Sequence, residues 1–324
     1  MRYFPMLKRG LRKLRGSLHV DRGNGDATIF VCGMGRSGTT WVGNVINHDG
    51  SYRTLFEPFL AAKVPAARGF QYIQYINRTD PRPELAVGAE QILSGRVRGF
   101  WVDQENRGLF YRRRLIKEVR CNLMLGWLKQ RRPDMPIVLV TRNPMAVAGS
   151  WLHLGWGKEW MGDGTDFDCM VSQPDLLRDF PLISEAIGQI DREDPMERII
   201  FQWCVFHLVP FAELGAPERL VVAYENLLLN THAEVKRLFR YLGARCNWDE
   251  VAATINTPST TNFRQRDIGQ EQRQLLAGWR SDLSADQVKR AKRVLSLFAM
   301  DRLYDDDGMP DPDRHPASEG WSNL

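Results

Sequence analysis

The chain has 324 residues, 43% of them apolar and 26% charged, with a net charge of +5. That length buries a core without staples, and the composition excludes collagenous and coiled-coil classes, while no apolar run reaches the roughly 18 residues of a membrane span. Five cysteines at wide spacings (32, 121, 169, 204, 246) form neither a disulfide framework nor a zinc ribbon, which points to a reducing, cytoplasmic setting.

Seven Lys/Arg and two acids fall within residues 1–26, so the whole excess of +5 resides there and the remainder is neutral. The basic pI therefore gives no reason to expect nucleic acid as a partner of the folded body. Phe4, Leu7, Leu11, Leu14 and Leu18 recur at steps of three and four and form one helical stripe opposite the cations. Such a stripe over residues 4–18 suits peripheral contact with an anionic membrane surface, a helix packed on the body, or a frayed tail.

Ala27–Gly33 predicts a buried strand entering a glycine-rich turn, and Thr39–Asn47 the helix that follows. Tyr52–Phe56 predicts a second strand ending at Glu57, and Leu115–Ile116 a brief one before Lys117. A helix is expected over Cys121–Lys129, a strand over Pro136–Val140, and a helix over Pro144–His153 opened by its proline. Met196–Leu208 reads as a helix, Leu220–Ala223 as a strand, and Thr231–Leu242 as an amphipathic helix capped by Thr231. Residues 60–114 and 155–195 read as loops and lids, and Asp305–Leu324 as an acidic, proline-containing disordered tail. Alternating strands and helices predict an α/β fold: one P-loop-type parallel sheet with helices on both faces, in a single domain of residues 27–304.

GMGRSGTTW at Gly33–Trp41 lies between a strand and a helix, where backbone N–H groups converge on an anion. Against the phosphate-loop pattern G-x-x-x-x-G-K-[ST], Gly33, Gly38 and Thr40 fit, but Thr39 stands in the lysine's place and the cation is Arg36. TRNPMAVAGSWLH at Thr141–His153 follows the clearest strand. Its Arg142 and Ser150 suit a second phosphate, although Arg142 alone is equally suited to cap a helix or pair with an acid.

These motifs resemble those of sulfotransferases that use 3′-phosphoadenosine 5′-phosphosulfate (PAPS). RSGTTW at Arg36–Trp41 is similar to the family's 5′-phosphosulfate loop, and Arg142 with Ser150 to its 3′-phosphate pair. The segment Ala223–Gly243 is similar to the family's stretch after the pocket, whose tyrosine, here Tyr224, lies near the adenine. Lys117 resembles the lysine near the transferred group. The cytosolic small-molecule enzymes carry a histidine base two residues later, where this chain has Val119, and their dimerisation motif is not evident. LFEPF at Leu55–Phe59 instead resembles the carbohydrate and tyrosyl-protein sulfotransferases, which place a glutamate there as base.

The resemblance implies that PAPS is held by Gly35, Arg36, Ser37, Gly38, Thr39 and Thr40, by Trp41 and Tyr224 at the adenine, and by Arg142 and Ser150. Lys117 and Arg36 would act on the transferred group, and Glu57 would take the acceptor's proton, its pKa raised by partial burial. Glu118 and His48 are rival bases. PAP would be released, no metal is implied, and the acceptor would be a carbohydrate or glycoconjugate hydroxyl. Ser259, Thr260 and Arg264 would close over the nucleotide, and aromatic residues such as Tyr72, Trp101, Trp156 and Trp160 would line the acceptor pocket. Two other readings remain open: a P-loop kinase or NTPase, and a non-catalytic nucleotide-sensing module.

Overall fold

Seven short strands form among the residues described by the computed structural model, which are 20–21, 28–156, 166–255, 276–311 and 313–315. The basic stripe at 4–18, Trp160, and the segment with Ser259, Thr260 and Arg264 lie outside them. Strands β2 (Thr28–Cys32), β3 (Tyr52–Phe56), β5 (Arg113–Glu118), β6 (Ile137–Thr141) and β7 (Arg219–Ala223) make one sheet in the order β3-β5-β2-β6-β7. All four of its pairings are parallel. The two-residue strands β1 (Val20–Asp21) and β4 (Phe110–Tyr111) pair separately, also in parallel. This is the expected α/β architecture.

The apolar strands are buried on both faces, which is why they read as continuous runs. Phe30, Cys32, Ile116 and Leu139 face one cluster with Trp127 and Leu128. Ile29, Val31, Val138 and Val140 face the other, with Trp41 and Val45 of helix α1 (Thr39–Ile46) and with Phe239. A third cluster joins α2 (Pro144–Leu154), α3 (Pro195–Glu213) and α4 (Ala285–Leu297); the partly buried Trp279 packs on it.

Several expectations are corrected. β5 is longer than Leu115–Ile116 because its polar residues are buried with partners: Arg114 donates to Asp21 and Thr28, and Lys117 to Glu57. α3 runs past Leu208 and through Pro210. The Phe206 carbonyl, which the proline cannot serve, accepts from the Asn122 amide at 3.1 Å. Asn230 rather than Thr231 occupies the cap position of the helix Thr231–Tyr241, and the Thr231 hydroxyl donates back to Leu228 O. Residues 60–114 hold the helix Pro83–Leu93, and residues 166–187 hold three short helices, so neither stretch is all loop. Within the expected tail only residues 305–311 and 313–315 are described, and these are folded: Asp305 N donates to Met309 O, and His315 is buried against Tyr304.

His207 lies within α3, its Nδ1 2.6 Å from Trp203 O, and burial pushes its pKa down to about 4. An unfolded histidine titrates near about 6.5, so the unfolded chain binds the extra proton first. The stability from neutral His207 is full above that value and is lost as pH falls towards 4. We expect the urea midpoint to drop between pH 7 and pH 5, and to drop less in His207→Gln. Equal drops in both proteins would contradict this.

Candidate anion-binding and transfer site

The sheet gathers the candidate site residues at one end of its strands. In register, Cys32 lies beside Glu118, Phe56 beside Lys117 and Thr141 beside Ala223. Glu57 leaves β3, Lys117 is the last residue but one of β5, the loop Gly33–Gly38 leaves β2, Arg142 leaves β6 and Tyr224 leaves β7. Across the sheet they follow that order at the carboxyl ends of parallel strands, where open α/β sheets bind ligands.

The loop turns sharply into α1. Arg36 has φ 74°, and Ser37 N donates to Met34 O at 3.1 Å. Gly38 has φ 95°, and a Cβ there would lie 2.6 Å from the Tyr224 ring. A side chain at this position would thus face both backbone strain and a clash. Thr39 starts the helix and is buried, while Thr40 beside it is half-buried. Trp41 meets Tyr224 edge-on, ring centroids 5.6 Å apart. Ser37 Oγ, Trp41 Nε1 and Arg142 Nε are buried without a hydrogen-bond partner among the described residues. Polar atoms of that kind are expected to meet a ligand or water.

The two anion motifs form one surface. Arg142 donates to Arg36 O at 3.0 Å and its guanidinium lies 4.6 Å over the Tyr224 ring. Arg36 Nε donates to Ser150 Oγ at 3.0 Å, and Trp151 donates to Gly35 O at 2.9 Å. Burial, and secondarily Arg142, lowers the pKa of Arg36. Two guanidiniums held this close repel each other, and a bound anion relieves that repulsion. Asn143 Oδ1 accepts from Met145 N and Ala146 N, which starts α2 and fixes Ser150 on it. The buried Glu225 accepts from Asn143 N, and burial raises its pKa to about 7.

At the other end, Glu57 has φ 43° and is buried. Its Oε1 accepts from Lys117 Nζ at 2.6 Å and its Oε2 from Arg120 at 2.7 Å. Burial alone would raise its pKa, but Lys117 and Arg120 hold it below the ordinary carboxylate range. The expected rise is therefore corrected: two cations outweigh the burial, and Glu57 is ionised at neutral pH. Lys117 points at Glu57 and lies 4.6 Å over the Phe56 ring. Glu118 accepts from Phe59 N, Val119 N and Arg120 and is 0% exposed against 8% for Glu57, so it offers no surface to an acceptor. His48 follows the far end of α1, about 12 Å from the loop at 1.5 Å per residue, and contacts Val45 and Asn247. Neither rival is placed as the base.

Sequence reasoning missed Arg120, whose guanidinium also lies 4.9 Å over Tyr72. It also missed Asp166, which burial raises to about 6 against the pull of Arg120, and Trp151. None of these lies in a recognisable spacing. Trp156 is exposed and meets Trp151 edge-on, with Arg36 5.9 Å from its ring. Among the described residues no group of His, Cys, Asp and Glu converges in a metal-holding cluster, and no helix is long and apolar enough to cross a membrane.

A family model described as the sulfotransferase family matches residues 28–250. No curated protein matches the chain. Among solved structures, the sulfotransferase domain of the Synechococcus PCC 7002 olefin synthase is 15% identical, with a TM-score of 0.43 over 85% of this chain and 95% of that one. A mouse sulfotransferase complexed with PAP is 13% identical, with a TM-score of 0.45 over 87% and 86%. The sulfotransferase STF1 of Mycobacterium tuberculosis is 14% identical, with a TM-score of 0.44 over 88% and 78%.

Proposed function

The chain belongs to the sulfotransferase family, and from that premise we propose that it moves a sulfuryl group from PAPS to a carbohydrate or glycoconjugate hydroxyl, with Glu57 as general base. The observation that carries this reading is the joined Arg36–Arg142–Ser150 surface, with Ser37 Oγ, Trp41 Nε1 and Arg142 Nε still unpartnered beside it. These residues fit a nucleotide with anionic groups at both ends. PAPS, when bound, supplies the group transferred.

The chain's part is to position and to neutralise charge. Gly35, Arg36, Ser37, Gly38, Thr39 and Thr40 hold the 5′ end, Arg142 and Ser150 the 3′-phosphate, and Trp41 with Tyr224 the adenine. Glu57, ionised by its two cations, takes the proton of the acceptor hydroxyl. Lys117 then loses its carboxylate partner's charge and is released towards the leaving phosphate. A kinase or NTPase would need a lysine where Thr39 stands.

The carbohydrate preference rests on the LFEPF segment and on aromatic and arginine side chains near Glu57, such as Tyr72, Trp101 and Arg120. Peripheral membrane contact through residues 4–18 would favour a lipid-linked acceptor. The test is PAP formation from PAPS across saccharide, glycolipid and phenol acceptors. Turnover with saccharides or glycolipids is expected. Turnover confined to phenols would overturn the acceptor class, and none with any acceptor would favour a nucleotide-sensing module.

A further inference from the structure

We propose that the hairpin of residues 303–311, with His315, is a positioning element for the 3′-phosphate grip; this rests on the reading of Arg142 and Ser150 given above. The hairpin closes on itself: Tyr304 and Pro310 bridge in antiparallel fashion, Asp305 N donates to Met309 O at 2.8 Å, and Asp311 N donates to Leu303 O at 2.9 Å. Arg280 donates to Asp306 O, and Lys292 pairs with the Asp306 carboxylate at 3.2 Å, so the hairpin is tied to the helices beside it.

Its inner side holds the tripeptide Thr141-Arg142-Asn143 at two points. The Thr141 hydroxyl lies 2.7 Å from Tyr304 Oη and 3.3 Å from His315 Nε2. Asn143 Nδ2 donates to Gly308 O at 3.2 Å, while the same side chain's oxygen caps α2. Arg142 therefore sits between two residues that the hairpin fixes, and its own carbonyl is fixed by Trp203 Nε1 at 3.0 Å. The Asn143 cap passes the constraint along α2 to Ser150.

Gly308 makes the tip possible. Its φ is 79°, and a Cβ there would lie 3.0 Å from Asn143 Nδ2 and 3.2 Å from Trp279 Nε1. A larger residue would both strain the turn and push the tip off Asn143. A stretch whose Asp and Pro content reads as tail is thus built against the back of the anion site.

The test compares Tyr304→Phe and Gly308→Val with wild type by calorimetry. Two ligands are titrated: PAP, and adenosine 5′-phosphosulfate, which lacks the 3′-phosphate. Tyr304→Phe should weaken PAP about fivefold, the effect of one neutral hydrogen bond, and Gly308→Val at least about tenfold. Both should keep adenosine 5′-phosphosulfate within about twofold, and both should raise KM for PAPS with kcat at saturation unchanged. Unchanged PAP affinity in folded Gly308→Val, or equal losses for both ligands, would overturn the proposal. Arg142→Ala is measured beside them: if it loses PAP while the hairpin variants do not, only the hairpin's role falls. If Arg142→Ala also keeps PAP, the nucleotide reading falls, and the hairpin's role with it.

Discussion

Glu57→Gln is expected to lower kcat by about 10²–10⁴-fold, the range of a lost general base, and to leave PAP affinity close to wild type. The carboxylate leaves the end of β3 next to Lys117, at the opposite side of the sheet edge from Arg142. Glutamine keeps the shape and can accept one hydrogen bond, but it is a negligible proton acceptor. It also leaves Lys117 and Arg120 facing each other without their shared anion. Breaking a buried pair in this way costs about 3–5 kcal/mol when the partner is removed outright, so the variant should also melt earlier. The pH sign follows from the depressed pKa. Glu57 contributes stability above its unfolded value near 4.5, and that contribution is lost as pH falls through its lower folded value. The acid limb of kcat due to Glu57 should therefore lie below the ordinary glutamate range. Turnover in Glu57→Gln equal to wild type would remove Glu57 as the base.

Arg142→Ala is expected to weaken PAP by about 2 kcal/mol or more, roughly 30-fold, the scale of lost charge-assisted hydrogen bonds. The guanidinium touches Arg36 O and covers the Tyr224 ring, so its loss also loosens the loop. The loss should be smaller for adenosine 5′-phosphosulfate than for PAP. Arg142→Lys should recover part of the affinity, because it restores the charge but not the fork that reaches Arg36 O and a phosphate together. PAP affinity unchanged in folded Arg142→Ala would remove Arg142 from the nucleotide site.

What the sequence made legible was local. GMGRSGTTW and TRNPMAVAGS each hold their anion-facing residues within one short continuous run of chain. Apolar runs such as Thr28–Cys32 and Ile137–Thr141 announced both-sided burial. The illegible parts depend on residues far apart in the chain. Arg113–Glu118 hides its strand character because its charges are matched by Asp21, Thr28 and Glu57. Asn122 permits Pro210 inside a helix from a position 88 residues earlier, with no pattern linking the two. The pKa of Glu57 was read in the wrong direction because burial was visible in the motif, whereas Arg120 was not. The hairpin at 303–311 escaped because its acidic composition resembles that of a solvated tail.

The most direct measurement is a thermal-shift titration with PAP, set beside AMP and beside ATP with magnesium. A ligand that binds only the folded chain stabilises it by about 2.7 kcal/mol at a hundred times its Kd. The account predicts a clear rise in Tm with PAP and little with the other two, because only PAP engages Arg142 and Ser150 together with the loop. A rise with ATP and magnesium and none with PAP would contradict it.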